Sequence, residues 1–138
     1  MCLSKEIGKT AHRLYKDKSI TRHLFLCCDQ SKAKCCSFEE GMKSWEYLKK
    51  VVMRLKQDPA FTANNNIART KANCLQICVA NSGPIGVIYP EGVWYKELTV
   101  GGNLEEVVEK HMMNGQIVDR LRIHEMEPTF DRNKTSLP

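Results

Sequence analysis

Seven cysteines are the residues of this 138-residue chain whose type and spacing could do chemistry. Two adjacent pairs lie close together in RHLFLCCDQSKAKCC, and a further pair lies in CLQIC. Besides Cys2, the cysteines are Cys27, Cys28, Cys35, Cys36, Cys74 and Cys78. Thiolates bind soft metals, and four of them can hold either a tetrahedral zinc ion or a cluster of two irons and two sulfides. Metal binding is therefore the first function that the sequence indicates.

The spacing of the last pair favours an iron–sulfur cluster without excluding zinc. Structural zinc sites more often use two cysteines separated by two residues, whereas three residues separate Cys74 from Cys78. A thiol–disulfide oxidoreductase would carry a C-x-x-C motif beside its first helix, and this chain lacks that motif. A zinc-stabilised binding module and a thiol–disulfide oxidoreductase remain the two alternatives. The sequence shows no accompanying set of nucleophile, base and acid, so we predict no enzymatic reaction.

The sequence also indicates a compartment. It contains no apolar run near the roughly 20 residues that span a bilayer, and its N-terminus alternates charges where a secretion signal would be apolar. We therefore expect a cytoplasmic protein without a membrane span. Structural disulfides are rare in that reducing compartment, which again favours metal ligation or redox chemistry for the cysteines.

Positive charge is concentrated near the N-terminus. The chain has a formal net charge of +5, and residues 1–22 contain six basic and two acidic residues. Such an arm can contact phosphates, anionic lipid or an acidic protein. Because residues 23–125 are nearly balanced in charge, we predict no nucleic-acid partner. Within the arm, apolar residues recur near helical spacing but Gly8 interrupts them, so only a weak helix is predicted.

The first half of the chain is predicted to form a strand, a helix and a second strand. Residues 23–27, HLFLC, form an apolar run of strand length that ends at a cysteine. Ser37 and Glu40 have capping-box spacing, and apolar residues then recur at helical steps until Pro59 stops the pattern. Residues 67–71 are predicted to form a strand that leads into the last cysteines.

The second half is predicted to form a hairpin and a helix. The runs PIGVIY and VWYKEL, residues 84–89 and 93–98, are joined by Pro-Glu-Gly, which suits a tight reversal. Asn103 offers an N-terminal cap for the following helix, and Gly115 can close that helix in a left-handed conformation. The hairpin should add antiparallel strands to a parallel strand–helix–strand unit with a right-handed crossover.

These elements predict one α/β domain of thioredoxin-like architecture, with a four-stranded mixed sheet flanked by two main helices. We assign the domain to residues 21–125, a basic N-terminal arm to residues 1–20 and a flexible C-terminal tail to residues 126–138. The cysteines lie in loops that follow predicted strands, so loop ends at one edge of the sheet are expected to carry them.

Several motifs resemble the bacterial thioredoxin-like [2Fe-2S] ferredoxins over about residues 21–123. They are HLFLC, the CC doublet that follows, KANCLQIC, GPIGVIYPEGVWY and a helix ending in EKHMMNG. The resemblance implies a one-electron carrier whose [2Fe-2S] cluster is held by four cysteines. It also implies redox partner proteins, for which Lys32 and Lys34 could attract an acidic docking surface, and it leaves a homodimer open.

The resemblance also implies a ligand set. Cys27 ends the first strand as the first ligand does in the family, and Cys74 and Cys78 match the final C-x3-C pair. Gly41 stands five residues after Cys36, at the spacing of a small residue in the family, so Cys36 is predicted as the second ligand. Cys35 remains the alternative for that position.

Overall fold

A mixed sheet and several helices make up the computed structural model, which describes residues 3–15, 20–28, 34–62, 66–77 and 79–126. The helices are α1 (Leu3–Tyr15), α2 (Phe38–Lys56), α3 (Pro59–Thr62) and α4 (Asn103–Val107), the last continued by a π-helical turn, Val108–Met112. The strands are β1 (Arg22–Cys27), β2 (Ile67–Ala72), β3 (Gly86–Tyr89), β4 (Val93–Tyr95) and β5 (Arg122–Glu125).

The described strands form one sheet in the order β2-β1-β3-β4-β5. Strand β1 pairs in parallel with β2, and the other neighbours pair antiparallel. The predicted thioredoxin-like α/β class is confirmed, but the sheet has five strands where four were predicted. All four residues of β5 are exposed, so this strand lacks the apolar alternation that reveals a half-buried strand in a sequence.

Helix α2 begins and ends as its sequence predicts. The Ser37 hydroxyl accepts a hydrogen bond from the Glu40 amide at 3.1 Å, which satisfies one of the free donors of the first turn. The helix ends before Pro59, which opens α3. One face of α2 is buried against the core, namely Gly41, Ser44, Trp45, Leu48, Val51, Val52 and Leu55. This burial holds α2 against the sheet, immediately after the second cysteine pair.

Helix α4 differs from its prediction at its start and agrees at its end. The cap position is Gly102, which offers no side-chain hydrogen bond, so the predicted cap at Asn103 was wrong. The side-chain amide of Asn103 instead donates from Nδ2 to the Glu97 carbonyl at 2.9 Å, which holds the preceding loop in place. Gly115 has φ +72° and its N–H donates to the His111 carbonyl at 2.8 Å, which closes the helical segment as predicted.

A partly buried network of polar side chains ties the second half of the fold to β1. The Tyr95 hydroxyl lies 2.7 Å from His111 Nδ1, and His111 Nε2 lies 2.7 Å from Glu91 Oε1. Arg22 Nε donates to the same carboxylate oxygen at 2.8 Å. Because a carboxylate only accepts, His111 donates through Nε2, and in the neutral imidazole Nδ1 accepts from the tyrosine. This network lies at the beginning of β1, opposite to the end that carries Cys27.

The arm contains a regular helix where only a weak one was predicted. Helix α1 has 13 residues, and its described side chains, from Leu3 to residue 10, are exposed. None of the helices in the described ranges is long and apolar enough to cross a bilayer.

Candidate metal centre

The parallel pairing of β1 and β2 brings two cysteine-bearing segments to one edge of the sheet. Cys27, the last residue of β1, lies opposite Ala72, the last residue of β2, and Cys74 follows two residues later. The Cys27 amide donates to the Ile85 carbonyl at 2.7 Å, which fixes the end of β1 against the segment before β3. The Cys28 amide donates to the Ala72 carbonyl at 3.0 Å. Two sequence-distant thiols therefore lie near the same edge.

Cys35 packs beside Cys27 in a small buried cluster that is separate from the main core. Both side chains are 3% exposed, and they share this cluster with Ile85. Partly buried residues pack around it, namely Cys36, Leu75, Ile77 and Trp94. Cys28, by contrast, is fully buried within the main core. The two members of the first cysteine pair thus occupy different apolar environments.

Gly83 allows the backbone to approach Cys35 closely. Its N–H donates to the Cys35 carbonyl at 3.0 Å. A Cβ atom at this position would lie 2.6 Å from Cys35 Sγ and 3.2 Å from the Cys35 carbonyl carbon. Both separations are shorter than ordinary van der Waals contacts, so a side chain here would displace the Cys35 loop. Glycine is required by space at this position.

The electrostatics of Cys27 identify its neighbours. Burial raises the pKa of the Cys27 thiol to about 11, because the thiolate is poorly solvated there. A backbone hydrogen bond from Leu75 opposes this rise, whereas a hydrogen bond with Cys35 and the nearby thiols of Cys35 and Cys74 add to it. The three cysteines therefore share one neighbourhood. Without a metal Cys27 stays protonated, so metal binding at this sulfur must release a proton.

Backbone amides donate to two of the sulfurs. The Gln76 N–H lies 3.2 Å from Cys74 Sγ, and Leu75 supplies the hydrogen bond to Cys27. Gln76 has φ +67°, a left-handed conformation that is uncommon for a residue other than glycine. Consecutive amides in such a turn can face one centre of negative charge. A thiolate cluster gains stability from such donors.

The predicted ligands can be placed only in part. Cys27 and Cys74 lie near one edge of the sheet, and Cys36 is half-buried against the cluster that contains Cys27. Cys78 lies outside the residues that the structure describes, as do Cys2 and Lys32. Among the described residues no three metal-ligating side chains converge closely enough to hold an ion. The ligand set therefore stays a prediction.

Sequence reasoning missed the contact between Cys27 and Cys35. The family's spacing to Gly41 favours Cys36 as a ligand, whereas the fold brings Cys35 next to Cys27. A GP pair located later in the chain is the sequence signal for this contact, because Gly83 makes room for the Cys35 sulfur.

Proteins similar to this chain were found among known sequences, although no protein-family profile matches it. A protein named "Ferredoxin, 2Fe-2S" from Clostridium pasteurianum is 43% identical over 60 residues, which cover 44% of this chain and 56% of that protein. A protein of the same name from Aquifex aeolicus is 29% identical over 112 residues, which cover 78% of this chain and 93% of that protein. The chain thus matches little more than half the length of the first relative and nearly all of the second.

Solved structures agree with the sequence comparison. A thioredoxin-like [2Fe-2S] ferredoxin from Aquifex aeolicus aligns with a TM-score of 0.59 and 26% identity, covering 80% of this chain and 96% of that one. A second crystal structure of such a ferredoxin from this organism, the wild type, aligns with a TM-score of 0.54 and 27% identity. The chain is thus similar in sequence and fold to the thioredoxin-like [2Fe-2S] ferredoxins. The edge of the sheet at which β1 and β2 end, with Cys27 and Cys74, is called the cysteine edge below.

The chemistry of the donors at the cysteine edge suits an iron–sulfur cluster, although in the described residues the side chains are not yet gathered around one point. Cys27, Cys35, Cys36 and Cys74 supply soft sulfur donors near one edge, and amides of Leu75 and Gln76 donate to sulfur. Soft thiolates suit iron–sulfur clusters and zinc better than harder ions such as magnesium.

Proposed function

We propose that this protein carries single electrons on a [2Fe-2S] cluster bound at the cysteine edge. The observation that carries the proposal is the meeting of Cys27, Cys35 and Cys74 in one neighbourhood, with backbone amides donating to two of the sulfurs. The names of the relatives from Clostridium pasteurianum and Aquifex aeolicus support the same cluster type.

The proposed ligands are Cys27, Cys36, Cys74 and Cys78. Family spacing supports Cys36 as the second ligand, through its distance from Gly41. Contact with Cys27 supports Cys35 instead, so the second position has two candidates that substitution can distinguish.

Such a cluster accepts and releases one electron at a time, at a potential that its surroundings set. The protein contributes a partly dry environment, since Cys27 is buried while Cys74 is exposed. Amides of Leu75 and Gln76 offset negative charge on the sulfurs. An exposed ligand beside a buried one keeps the site close to a docking partner while limiting contact with water.

We further propose a carrier without catalytic activity of its own, working in the cytoplasm with redox partner proteins. Lys34 and Lys71 are exposed and close in sequence to the cysteine segments, so they would favour partners with acidic docking surfaces. In this proposal the electron-carrying domain comprises residues 21–125, with the arm at 1–20 and the tail at 126–138 outside it.

Anaerobic purification followed by absorption spectroscopy and metal analysis tests the proposed function. We expect a red-brown protein with sulfur-to-iron charge-transfer bands, two irons and two sulfides per chain, and one reversible single-electron wave in voltammetry. A colourless protein that contains zinc would establish the zinc-binding module instead. A protein that lacks the wave but reduces disulfides through its cysteines would be an oxidoreductase.

A further inference from the structure

Helix α1 presents an exposed surface that the cysteine edge does not explain, and we propose that it binds an anionic lipid bilayer. The proposal does not rest on the electron-carrying function, since α1 precedes the cysteine-bearing domain. It concerns the exposed part of α1, residues 3–10, and the phospholipid headgroups that it would contact.

The first observation is the exposure of large apolar side chains on α1. Leu3 is 69% exposed and Ile7 is 59% exposed. Residues four apart lie on the same face of a helix, so these two side chains form one stripe. Exposing adjacent large apolar groups to water is unfavourable, which indicates that a partner covers them.

The second observation is the position of positive charge around the same helix. Lys5 and Lys9 are exposed and also lie four residues apart. At 3.6 residues per turn, Lys5 lies about 200° around the axis from Leu3. Lys9 lies four residues further on, so both lysines lie on the face opposite to the apolar stripe. A helix with basic and apolar faces is typical of segments that lie in the headgroup region of a membrane.

The bilayer surface fits both faces better than an acidic protein does. Its headgroups attract lysines, and its acyl chains begin within about 5–10 Å of the charged layer, so the apolar stripe is covered without a groove of matching shape. Helix α1 is about 20 Å long at 1.5 Å per residue, which suits a helix lying along the surface. The surplus of basic residues in residues 1–22 adds to the attraction.

The direction of β1 keeps the cysteine edge accessible in this arrangement. The arm enters β1 at Arg22, while Cys27 ends the strand. An attachment through α1 is therefore connected to the end of β1 that lies away from the cysteines. The bilayer would hold the protein at a surface while leaving the proposed docking edge available to partners.

Co-sedimentation of the full-length protein with lipid vesicles tests the proposal. One set of vesicles contains phosphatidylcholine mixed with phosphatidylserine, and the other contains phosphatidylcholine alone. We expect at least about tenfold tighter binding to the anionic vesicles at low salt, and weaker binding as salt rises. Deletion of residues 1–20 should abolish that binding. Equal binding to both vesicle types, or none to either, would overturn the proposal.

Matched double variants separate the contribution of the apolar side chains to vesicle binding from that of the lysines. Leu3→Gln with Ile7→Gln, and Lys5→Gln with Lys9→Gln, should each weaken binding about tenfold while far-ultraviolet circular dichroism of the domain is unchanged. The control is Lys43→Gln with Lys50→Gln, which removes two exposed lysines from α2 and should leave binding intact. If only the lysine changes on α1 weaken binding, and soluble polyglutamate competes fully, the partner is an acidic polymer and the lipid proposal fails.

Discussion

Adjacent cysteines in this protein have different surroundings, and their roles follow from that difference. Neighbouring side chains in an extended strand point to opposite faces, and here Cys27 lies in the small cysteine cluster while Cys28 is fully buried in the main core. Cys28 therefore acts as a small apolar residue. Cys35 and Cys36 lie in a loop before α2, where both contact the same cluster. Packing alone does not show whether Cys35 or Cys36 is the ligand.

Single substitutions at the cysteines test the ligand set. We expect Cys27→Ser, Cys36→Ser, Cys74→Ser and Cys78→Ser each to lower the content of native cluster by more than about tenfold, because each removes a thiolate ligand. Iron content and visible absorption measure this loss. Cys28→Ala should keep the spectrum and lower the free energy of unfolding by about 1 kcal/mol.

The pair Cys35→Ser and Cys36→Ser decides the second ligand. Under the assignment to Cys36, the first variant keeps the native spectrum and the second loses it. The reverse pattern would show that Cys35, which contacts Cys27, binds the cluster.

Gly83 offers a second prediction at the residue scale. Gly83→Ala places a Cβ atom 2.6 Å from Cys35 Sγ, so the Cys35 loop must move, at a cost of about 1–3 kcal/mol. Urea unfolding should show this loss, and iron content should fall with it. Gly8→Ala is the matched control, since no atom lies within 4 Å of its Cβ position. Equal stability of both variants would contradict the packing argument.

At the scale of elements, the sequence predicted what depends on local patterns and missed what depends on tertiary contacts. The HLFLC run and the Ser37 cap act within a few residues, so β1 and α2 were predictable. Strand β5 was missed because its side chains stay exposed. The neighbour of Cys27 in the site could not be predicted either, since it depends on how a loop closes against Gly83.

The polar network joins β4, the π-helical turn, the β3–β4 turn and β1 through Tyr95, His111, Glu91 and Arg22. Burial lowers the pKa of His111, although the Glu91 carboxylate opposes this shift. Burial also disfavours the Glu91 carboxylate, but hydrogen bonds from Arg22 and His111 outweigh it and hold the pKa of Glu91 below its usual value. The folded state thus holds a neutral imidazole and a charged carboxylate.

These shifts predict that the protein loses stability as the pH falls. The unfolded chain binds a proton at His111 below its usual pKa of 6.5, while the folded chain resists that proton, so stability decreases from there downwards. Glu91 adds a further loss below its usual pKa of 4.5, as pH falls through the lowered value of the folded state.

Urea unfolding between pH 7.5 and 5 measures the first of these losses. His111→Gln should reduce the slope of unfolding free energy against pH and lower stability at neutral pH, because it breaks one buried and one partly buried hydrogen bond. His124→Gln, which removes an exposed imidazole from β5, serves as the control. A slope in His111→Gln as steep as in the wild type would exclude the polar network as the source of the pH dependence.

At the scale of the whole molecule, exposed lysines lie near the cysteine edge as well as in the arm and on α2. Lys34 precedes the second cysteine pair and Lys71 lies near the end of β2, and both are exposed. A charged surface raises the local concentration of oppositely charged reactants, and salt screens this effect over a Debye length of about 10 Å at 0.1 M. The rate of electron transfer should therefore report the charge around the site.

Small redox reagents of opposite charge test whether the charge around the site governs the rate, without a known partner. The reduced protein should lose its electron to ferricyanide, an anion, more slowly as salt rises, and Lys34→Gln with Lys71→Gln should lower the low-salt rate by about two- to fivefold. Oxidation by hexaamminecobalt, a cation, should become faster in the same variant. Stopped-flow absorption of the cluster bands measures both rates. Lys43→Gln with Lys50→Gln on α2 removes the same charge elsewhere, so equal effects from the two variants would show that net charge, and not a docking surface at the cysteine edge, governs the rate.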